Sequence, residues 1–166
     1  MTVNGGAFGL NGQNQTVGSL SGTGGTVGLN GGAALTVNQA ANTSYAGAIT
    51  GNGSLSKSGS GLLTLAGVNS YSGGTTIAGG TLQLGSGGSL ASSGAVTVTG
   101  GTFDLNGQDQ TVSALSGTGG AVALNGGAAL TVNQSSDTSY AGSLTGTGSL
   151  TKSGNGTLVL SGSNSY

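Results

Sequence analysis

The chain lacks cysteine, proline, histidine and tryptophan, and only five of its 166 residues are charged. Without cysteine and histidine, zinc has none of the ligands that hold it in most structural sites. Two lysines and no arginine cannot form the basic stripe that neutralises nucleic acid phosphates or an anionic membrane surface. No apolar run approaches the roughly 20 residues of a membrane helix. We therefore expect no nucleic acid partner, no membrane insertion by this segment and no cofactor.

Glycine is abundant instead, with 39 residues, and it argues against helices because each interior glycine costs a helix about 1 kcal/mol relative to alanine. Glycine does not recur at every third position, which excludes collagen. Apolar residues recur in pairs two positions apart, as in short strands with one buried face. These pairs are Phe8/Leu10, Val27/Leu29, Leu35/Val37, Leu63/Leu65, Leu82/Leu84, Val96/Val98, Phe103/Leu105, Val122/Leu124, Leu130/Val132 and Leu158/Leu160. The composition thus predicts an all-β protein.

A long internal repeat dominates the sequence. Met1 to Tyr71 aligns without a gap on Val96 to Tyr166, and about 50 of the roughly 71 aligned positions are identical. We predict a first β-helical unit over residues 1–95 and a second, truncated unit over residues 96–166 of one continuous solenoid. Because Met1 stands where the second copy has Val96, we expect it to be the start codon of an expressed fragment, with any signal segment of the parent protein upstream.

A solenoid of parallel coils fits these features better than hairpins, because the apolar runs are short and evenly spaced and the repeat has no gaps. With roughly 20 residues per coil, the chain would form about eight coils. A spacing of about 4.8 Å between stacked strands would make it about 40 Å long. A solenoid cut within a repeat would expose open strand edges, so we also expect self-association, either head-to-tail or lateral.

One stretch resembles a known family. From Gly53 to Gly85 the sequence reads GSLSKSGSGLLTLAGVNSYSGGTTIAGGTLQLG, and its first part recurs from Gly148 to Tyr166 as GSLTKSGNGTLVLSGSNSY. This pattern resembles the passenger-associated transport repeat, also called the autotransporter-associated β-strand repeat. The resemblance implies a right-handed parallel β-helix in an autotransporter passenger, secreted or on the outer surface of a Gram-negative bacterium. It also implies a contribution to export and folding of the passenger.

The sequence contains few side chains that could take part in catalysis. Asp104 and Asp109 are the only close pair of carboxylates, which a polysaccharide-cleaving enzyme would need. Their counterparts in the first copy are Gly9 and Asn14, and Asp137 likewise replaces Asn42, so we interpret these acids as solvated turn residues.

Nucleophile and phosphate sites are equally sparse. Ser–Lys pairs are conceivable at Lys57/Ser58 and Lys152/Ser153, but the shared repeat position of the lysines favours a structural role. The glycine pairs Gly22/Gly24 and Gly146/Gly148 are not completed as phosphate loops, so we read them as turns. The calcium-binding nonapeptide is absent, and no metal site is predicted.

The aromatic residues complete the list of candidates. Four tyrosines, each following a serine, offer a possible surface-binding site because aromatic rings stack on sugars; they are Tyr45, Tyr71, Tyr140 and Tyr166. All four precede a turn, which favours packing at coil edges over binding for these rings. Phe8 and Phe103 occupy one repeat position and are predicted to be core residues.

The leading hypothesis is a structural one: a β-helical stalk segment that supports adhesion, self-association and export. The alternative is an adhesin module that binds glycans or surfaces, with host or matrix glycans as partners. An enzyme of the polysaccharide-cleaving β-helix class ranks third, and we expect the chain not to be an enzyme.

Overall fold

The computed structural model describes all residues, 1–166, and is all-β, as predicted. Its only helical elements are two 3₁₀ turns, Asn30–Gly32 and Asn125–Gly127. The strands are short, with three to five residues each, because a glycine-containing corner follows almost every one. They are β1 (Ala7–Gly9), β2 (Gln15–Val17), β3 (Thr26–Gly28), β4 (Ala34–Asn38), β5 (Thr43–Tyr45), β6 (Ala48–Thr50), β7 (Ser54–Ser58), β8 (Leu62–Leu65), β9 (Thr75–Ile77), β10 (Thr81–Leu84), β11 (Ala95–Val98), β12 (Thr102–Asp104), β13 (Gln110–Val112), β14 (Ala114–Ser116), β15 (Ala121–Leu124), β16 (Ala129–Asn133), β17 (Thr138–Tyr140), β18 (Ser143–Gly146), β19 (Ser149–Ser153) and β20 (Leu158–Leu160).

Every strand pairs in parallel with a strand one coil away, which confirms the solenoid and excludes hairpins. The strands stack in three columns, which we call the first, second and third faces. The first face runs β1, β3, β6, then the irregular segments 68–70 and 89–90, then β13, β16 and β19. The second runs β2, β4, β7, β9, β11 and β14 and continues, by contact, to β17 and β20. The third contains β5, β8, β10, β12, β15 and β18.

The chain passes each face about eight times, so the predicted number of coils is confirmed. Coil length is not constant. Ala7 pairs with Thr26, 19 residues on, whereas Thr26 pairs with Ala48, 22 residues on. The corners absorb these differences, so the stacked strands stay in register.

The core is one continuous column of apolar side chains along the axis, and all three faces contribute to it. Strands alternate buried and partly exposed residues, as in β8 and β10, and 31 buried residues form one continuous cluster. Stacked strands place equivalent residues over one another, so Leu63, Leu82 and Phe103 follow in one line. The residues of the inner coils, with a coil on both sides, are the most deeply buried, although Leu10 of the first coil is also buried, with 4% of its surface exposed.

Phe8 shows what happens where only one neighbour exists. Phe103 is fully buried, as predicted, because β12 lies between β10 and β15. Phe8 is 41% exposed, because β1 pairs with β3 alone. The prediction that both are core residues is correct for Phe103 and wrong for Phe8.

The sequence repeat does not contain a whole number of coils. From Ala7 the first face returns four times, the last at Ser89, and the chain then crosses β11 on the second face before reaching Thr102 on the third. The repeat is thus four and two-thirds coils long. As a result, β1, β3 and β6 form the first face, whereas their counterparts β12, β15 and β18 belong to the third. The second copy is rotated about the axis by one face.

Glycine is required where a corner presses against the coil before it. Gly22 and its counterpart Gly117 have φ of 144° and 147°, a region that side chains rarely adopt. A Cβ atom at either would overlap the carbonyl of Val3 or of Val98 on the neighbouring coil. The interpretation as a turn is correct for Gly24, which lies in a bend, whereas Gly22 forms an isolated parallel bridge with Tyr45. No helix in the structure has the length and apolar character needed to span a membrane.

Candidate functional site

Three of the four tyrosines proposed for surface binding lie in the core. Tyr45 and Tyr140 have no exposed surface, and Tyr71 has 1%. The register explains this, because Tyr45 pairs with the core residue Leu65 in the third face. A ring needs an open face to stack on a sugar, so the structure corrects the expectation of surface binding for these three residues.

The buried tyrosine hydroxyls satisfy their hydrogen bonds within the protein. Tyr45 Oη donates to the carbonyl of Gly25, one coil away, at 3.2 Å. Tyr71 Oη lies 2.7 Å from Thr75 Oγ1. Burial raises the pKa of all three phenols, that of Tyr140 to about 12, because the phenolate would lose its hydration. These groups are structural at neutral pH.

Tyr166 differs, with 46% of its surface exposed. It occupies the repeat position of Tyr71 at the last residue of the chain. It is thus the one tyrosine whose ring is open to solvent, and a binding role for it stays a prediction.

Lys57 is a fully buried cation, and it occupies a core position. Within the second face it pairs with Val37 on one side and Ile77 on the other, so its aliphatic stem continues an apolar row. Its Nζ donates to the carbonyls of Ser58 (2.8 Å), Gly59 (3.1 Å) and Gly79 (3.3 Å). Because burial removes water from the ammonium, the pKa of Lys57 is lowered.

These contacts bear on the Ser–Lys pair considered from the sequence. The ammonium bonds the backbone carbonyl of Ser58, and the Ser58 hydroxyl is not among its partners. Lys152 Nζ likewise donates to the carbonyls of Ser153 and Gly154. Both lysines join backbone carbonyls at a corner, which is a structural use.

The three carboxylates also accept hydrogen bonds that connect coils. Asp109 Oδ1 accepts from the backbone N–H of Ala129 (2.8 Å), and Asp137 Oδ1 from that of Thr157 (2.7 Å). In the first copy Asn14 and Asn42 accept the corresponding bonds from Ala34 and Leu62. An amide oxygen and a carboxylate oxygen are thus interchangeable at these corners.

Asp104 belongs to a polar row across the third face. Its Oδ2 accepts from Gln83 Nε2 (2.9 Å) and its Oδ1 from Asn125 Nδ2 (3.1 Å). Gln83 in turn accepts from Thr64 Oγ1, so four coils contribute to the row. The structure holds no cluster of three or more aspartate, glutamate, histidine or cysteine side chains.

The surface does contain one groove, which sequence reasoning missed. It has a volume of about 520 Å³ in the second copy and is lined mainly by polar residues: Ser113, Ala114, Asn133, Gln134, Ser135, Ser136, Gly154 and Asn155. These residues come from three successive coils, so no motif in the sequence marks the groove. The signal that was present is the change from Ala40-Ala41 in the first copy to Ser135-Ser136 in the second.

Comparison with known proteins supports the resemblance seen in the sequence. The family described as Passenger-associated-transport-repeat matches residues 55–84 and 150–166. A curated relative, the Adhesin BmaC autotransporter of Brucella suis biovar 1 (strain 1330), is 61% identical over 49 residues. Those residues are 30% of this chain and 1% of the relative, so the chain corresponds to a small part of that protein. No solved structure matches the chain.

The matched residues coincide with the structural unit that builds the coils. Residues 55–84 include β7 to β10 and the buried residues Leu55, Lys57 and Tyr71. The family match, the adhesin relative and the parallel coils agree with one another. The chain carries passenger-associated transport repeats at residues 55–84 and 150–166 and folds as a β-solenoid, and together these findings support a repeat domain of an autotransporter passenger.

Proposed function

We propose that this segment is a structural stalk in the passenger of an autotransporter on the surface of a Gram-negative bacterium, or released from it. The observation that carries the proposal is the continuous core, which runs unbroken through all coils and across both copies of the repeat. Stacked coils of constant spacing extend a protein in one direction, which suits a spacer between the cell and a distal part of the passenger.

The use of the polar side chains supports the same proposal. Every buried side-chain nitrogen and oxygen has a hydrogen-bond partner. Of the residues considered for catalysis, Lys57 and Asp109 bond the backbone of a neighbouring coil, and Lys152 bonds the backbone of its own corner. Such side chains increase stability without forming a reaction centre. We therefore propose a role that is not enzymatic.

Export and self-association belong to the same proposal. A solenoid with its own core folds coil by coil, and this helps a passenger fold as it emerges at the cell surface. The exposed apolar side chain of Val68, in the middle of the chain, favours contact between copies.

Deletion of residues 1–95 from the parent passenger tests the stalk. We expect an epitope placed at the distal end to come closer to the membrane by about 22 Å, which is four and two-thirds coils at about 4.8 Å each. Super-resolution imaging of that epitope measures the change. An unchanged distance would refute the stalk, and a loss of surface-exposed passenger would show the contribution to export.

A second candidate, adhesion, is favoured by the groove and by the relative from Brucella suis, which is named an adhesin. Cells displaying the parent passenger with and without residues 96–166 would be compared for attachment to glycan-coated surfaces. Reduced attachment at equal surface display supports adhesion through this segment, and equal attachment refutes it.

A further inference from the structure

The groove between β14 and the corners at 133–136 and 154–155 is lined by exposed polar side chains, such as Ser135 and Asn155, for which a stalk has no need. We propose that it is a binding site for an uncharged oligosaccharide, contacted by Ser113, Asn133, Ser135, Ser136 and Asn155. The inference rests on the adhesive role described above and names the class of ligand that this role would involve.

The groove has a rigid frame. Gln134 is 1% exposed, and its Nε2 donates to the carbonyls of Ser136 (3.1 Å) and Thr157 (2.7 Å). Its Oε1 accepts from Thr138 Oγ1 at 3.1 Å. These bonds hold the corner at 134–138 in one shape before any ligand arrives, which reduces the entropy lost on binding.

The rim of the groove carries polar groups that the protein leaves free. Most asparagine side chains in the chain connect coils, as Asn42 does with Leu62 and Asn69 with Ile49. The side chains that line the rim make no such bond, and four of them are exposed: Asn133, Ser135, Ser136 and Asn155. Their donors and acceptors are available to a ligand.

The two copies of the repeat differ most where the groove lies. Over the 71 aligned positions the copies differ at 21, whereas five of the eight lining positions differ. Four of these five changes add hydrogen-bonding groups: Gly18 becomes Ser113, Ala40 becomes Ser135, Ala41 becomes Ser136 and Ser60 becomes Asn155. Meanwhile Gln39 makes the same frame as Gln134, donating to the carbonyls of Ala41 and Leu62. The coil is conserved between the copies while its surface chemistry changes.

The residues that line the groove favour one class of ligand. It includes no charged residue, so a sulfated, phosphorylated or otherwise anionic ligand would find no cation to pair with. Only Ala114 is apolar, which disfavours a lipid or an aromatic ligand. Hydroxyl and amide groups with both donors and acceptors match the hydroxyls of a neutral sugar. A volume of about 520 Å³ admits a short oligosaccharide.

Nuclear magnetic resonance of the ¹⁵N-labelled chain tests the site. The probes are maltotetraose and chitotetraose, which are uncharged, and a heparin tetrasaccharide, which is anionic. We expect at least one uncharged probe to shift the amide signals of Ser135, Ser136 and Asn155 saturably in the millimolar range. Ala40, Ala41 and Ser60 should not shift. Absence of saturable shifts with both uncharged probes, or binding of heparin in their place, overturns the proposal.

A second test replaces groove residues by the residues that the first copy has at the same positions, so that loss of binding can be separated from loss of folding. Ser113→Gly, Ser135→Ala, Ser136→Ala and Asn155→Ser together install the residues that the first copy already carries on the same frame. We expect this variant to keep its unfolding midpoint and to bind the sugar at least about tenfold more weakly. The control variant changes two exposed serines outside the groove, Ser139→Ala and Ser161→Ala, and should bind as the native chain does. Equal binding by the groove variant would refute the site.

The cell-attachment test separates this inference from the adhesive role. If removal of residues 96–166 abolishes attachment while the groove variant still attaches, adhesion stands and the groove is excluded. If attachment never depended on residues 96–166 but sugar binding is lost in the groove variant, the site stands and the adhesive role does not.

Discussion

The two copies of the repeat carry nearly the same residues, yet those residues are buried to different degrees. Tyr71 is 1% exposed and Tyr166 is 46% exposed, although both end the same NSY sequence. Leu55 is buried, whereas its counterpart Leu150 is only partly buried and packs against the edge of the core. In a solenoid, burial therefore depends on the number of neighbouring coils as well as on the repeat sequence.

The copies also face different directions. Because the repeat spans four and two-thirds coils, identical strands such as β5 and β17 lie on different faces. Three copies would be needed before the pattern returned to its starting face. Surface residues of successive repeats therefore point outward in three directions in turn.

The largest expected difference between the copies involves the tyrosines. Tyr71→Ala removes a buried ring and should cost about 3 to 5 kcal/mol of unfolding free energy, as large-to-small changes in cores do. Tyr166→Ala should cost about 1 kcal/mol or less, since half of that ring is already in water. Urea unfolding followed by circular dichroism measures both. Equal losses for the two variants would contradict the dependence of burial on neighbouring coils.

Replacement of the two lysines should produce a smaller difference in unfolding free energy between the copies. Lys57→Met keeps the aliphatic stem but leaves the carbonyls of Ser58, Gly59 and Gly79 without the ammonium, and we expect a loss of about 1 to 3 kcal/mol. Lys152→Met removes a partly exposed ammonium with two carbonyl partners and should cost less than about 1 kcal/mol. The same unfolding assay applies. A Lys57→Met chain more stable than the native one would show that the cost of burying the charge exceeds the value of its hydrogen bonds.

Alkaline pH should weaken the chain through its buried phenols. The pKa of Tyr140 rises to about 12 on folding, and those of Tyr45 and Tyr71 are also raised, from an ordinary value of about 10. Because the folded pKa lies above the unfolded one, this stabilisation is complete below about pH 10 and is lost as the pH rises toward the folded values. Lys57 acts in the opposite sense, since its lowered pKa means that deprotonation relieves a cost of burial.

The midpoint of urea unfolding, measured from neutral pH to about pH 12, checks this balance. We expect the midpoint to fall above about pH 10, and Tyr140→Phe should reduce the fall because phenylalanine does not ionise. A fall of equal size in the native chain and in Tyr140→Phe would contradict a raised pKa of the buried Tyr140 phenol.

The smallest effects are expected at the corners, where the copies exchange asparagine for aspartate. Asp109→Asn and Asp137→Asn preserve the oxygen that accepts from Ala129 and Thr157, so each should change stability by less than about 0.5 kcal/mol. Asp109→Ala removes the acceptor and should cost about 1 kcal/mol. Differential scanning calorimetry resolves the contrast through the unfolding temperature. A large loss in Asp109→Asn would mean that the charge itself has a role.

Sequence reasoning was most successful for the architecture, because alternation and repeat length depend on local pattern. The paired apolar residues such as Leu63 and Leu65 predicted strands, and the gapless repeat predicted parallel coils. The sequence favoured packing of the tyrosines at coil edges, but their full burial was not predicted because it depends on register: Tyr45 is a core residue since it lies beside Leu65. The available signal in the sequence was the alternation of polar Ser44 with aromatic Tyr45, which the structure shows as exposed and buried.

The rotation of the repeat and the groove could not be predicted for a related reason. Partner residues on neighbouring coils are 19 to 23 positions apart, so dividing about 95 by an average does not say which face a given strand joins. The groove depends on three coils meeting at one edge, and Ser113, Ser135 and Asn155 are about 20 residues apart in sequence. Pairing across coils, which the sequence does not state, determines both.

Cysteine pairs across the junction of the two copies test whether the parallel coils continue from one copy into the next. In the second face, Thr76 pairs with Thr97 and Thr97 with Ser116. Neighbouring parallel strands are about 4.8 Å apart, within the range that a disulfide spans, whereas strands two coils apart are about 10 Å apart. Oxidation followed by mass spectrometry of a chain without other cysteines should therefore show disulfides in the Thr76→Cys/Thr97→Cys and Thr97→Cys/Ser116→Cys variants and none in Thr76→Cys/Ser116→Cys. A disulfide in the last variant, or none in the first two, would contradict a continuous solenoid of parallel coils.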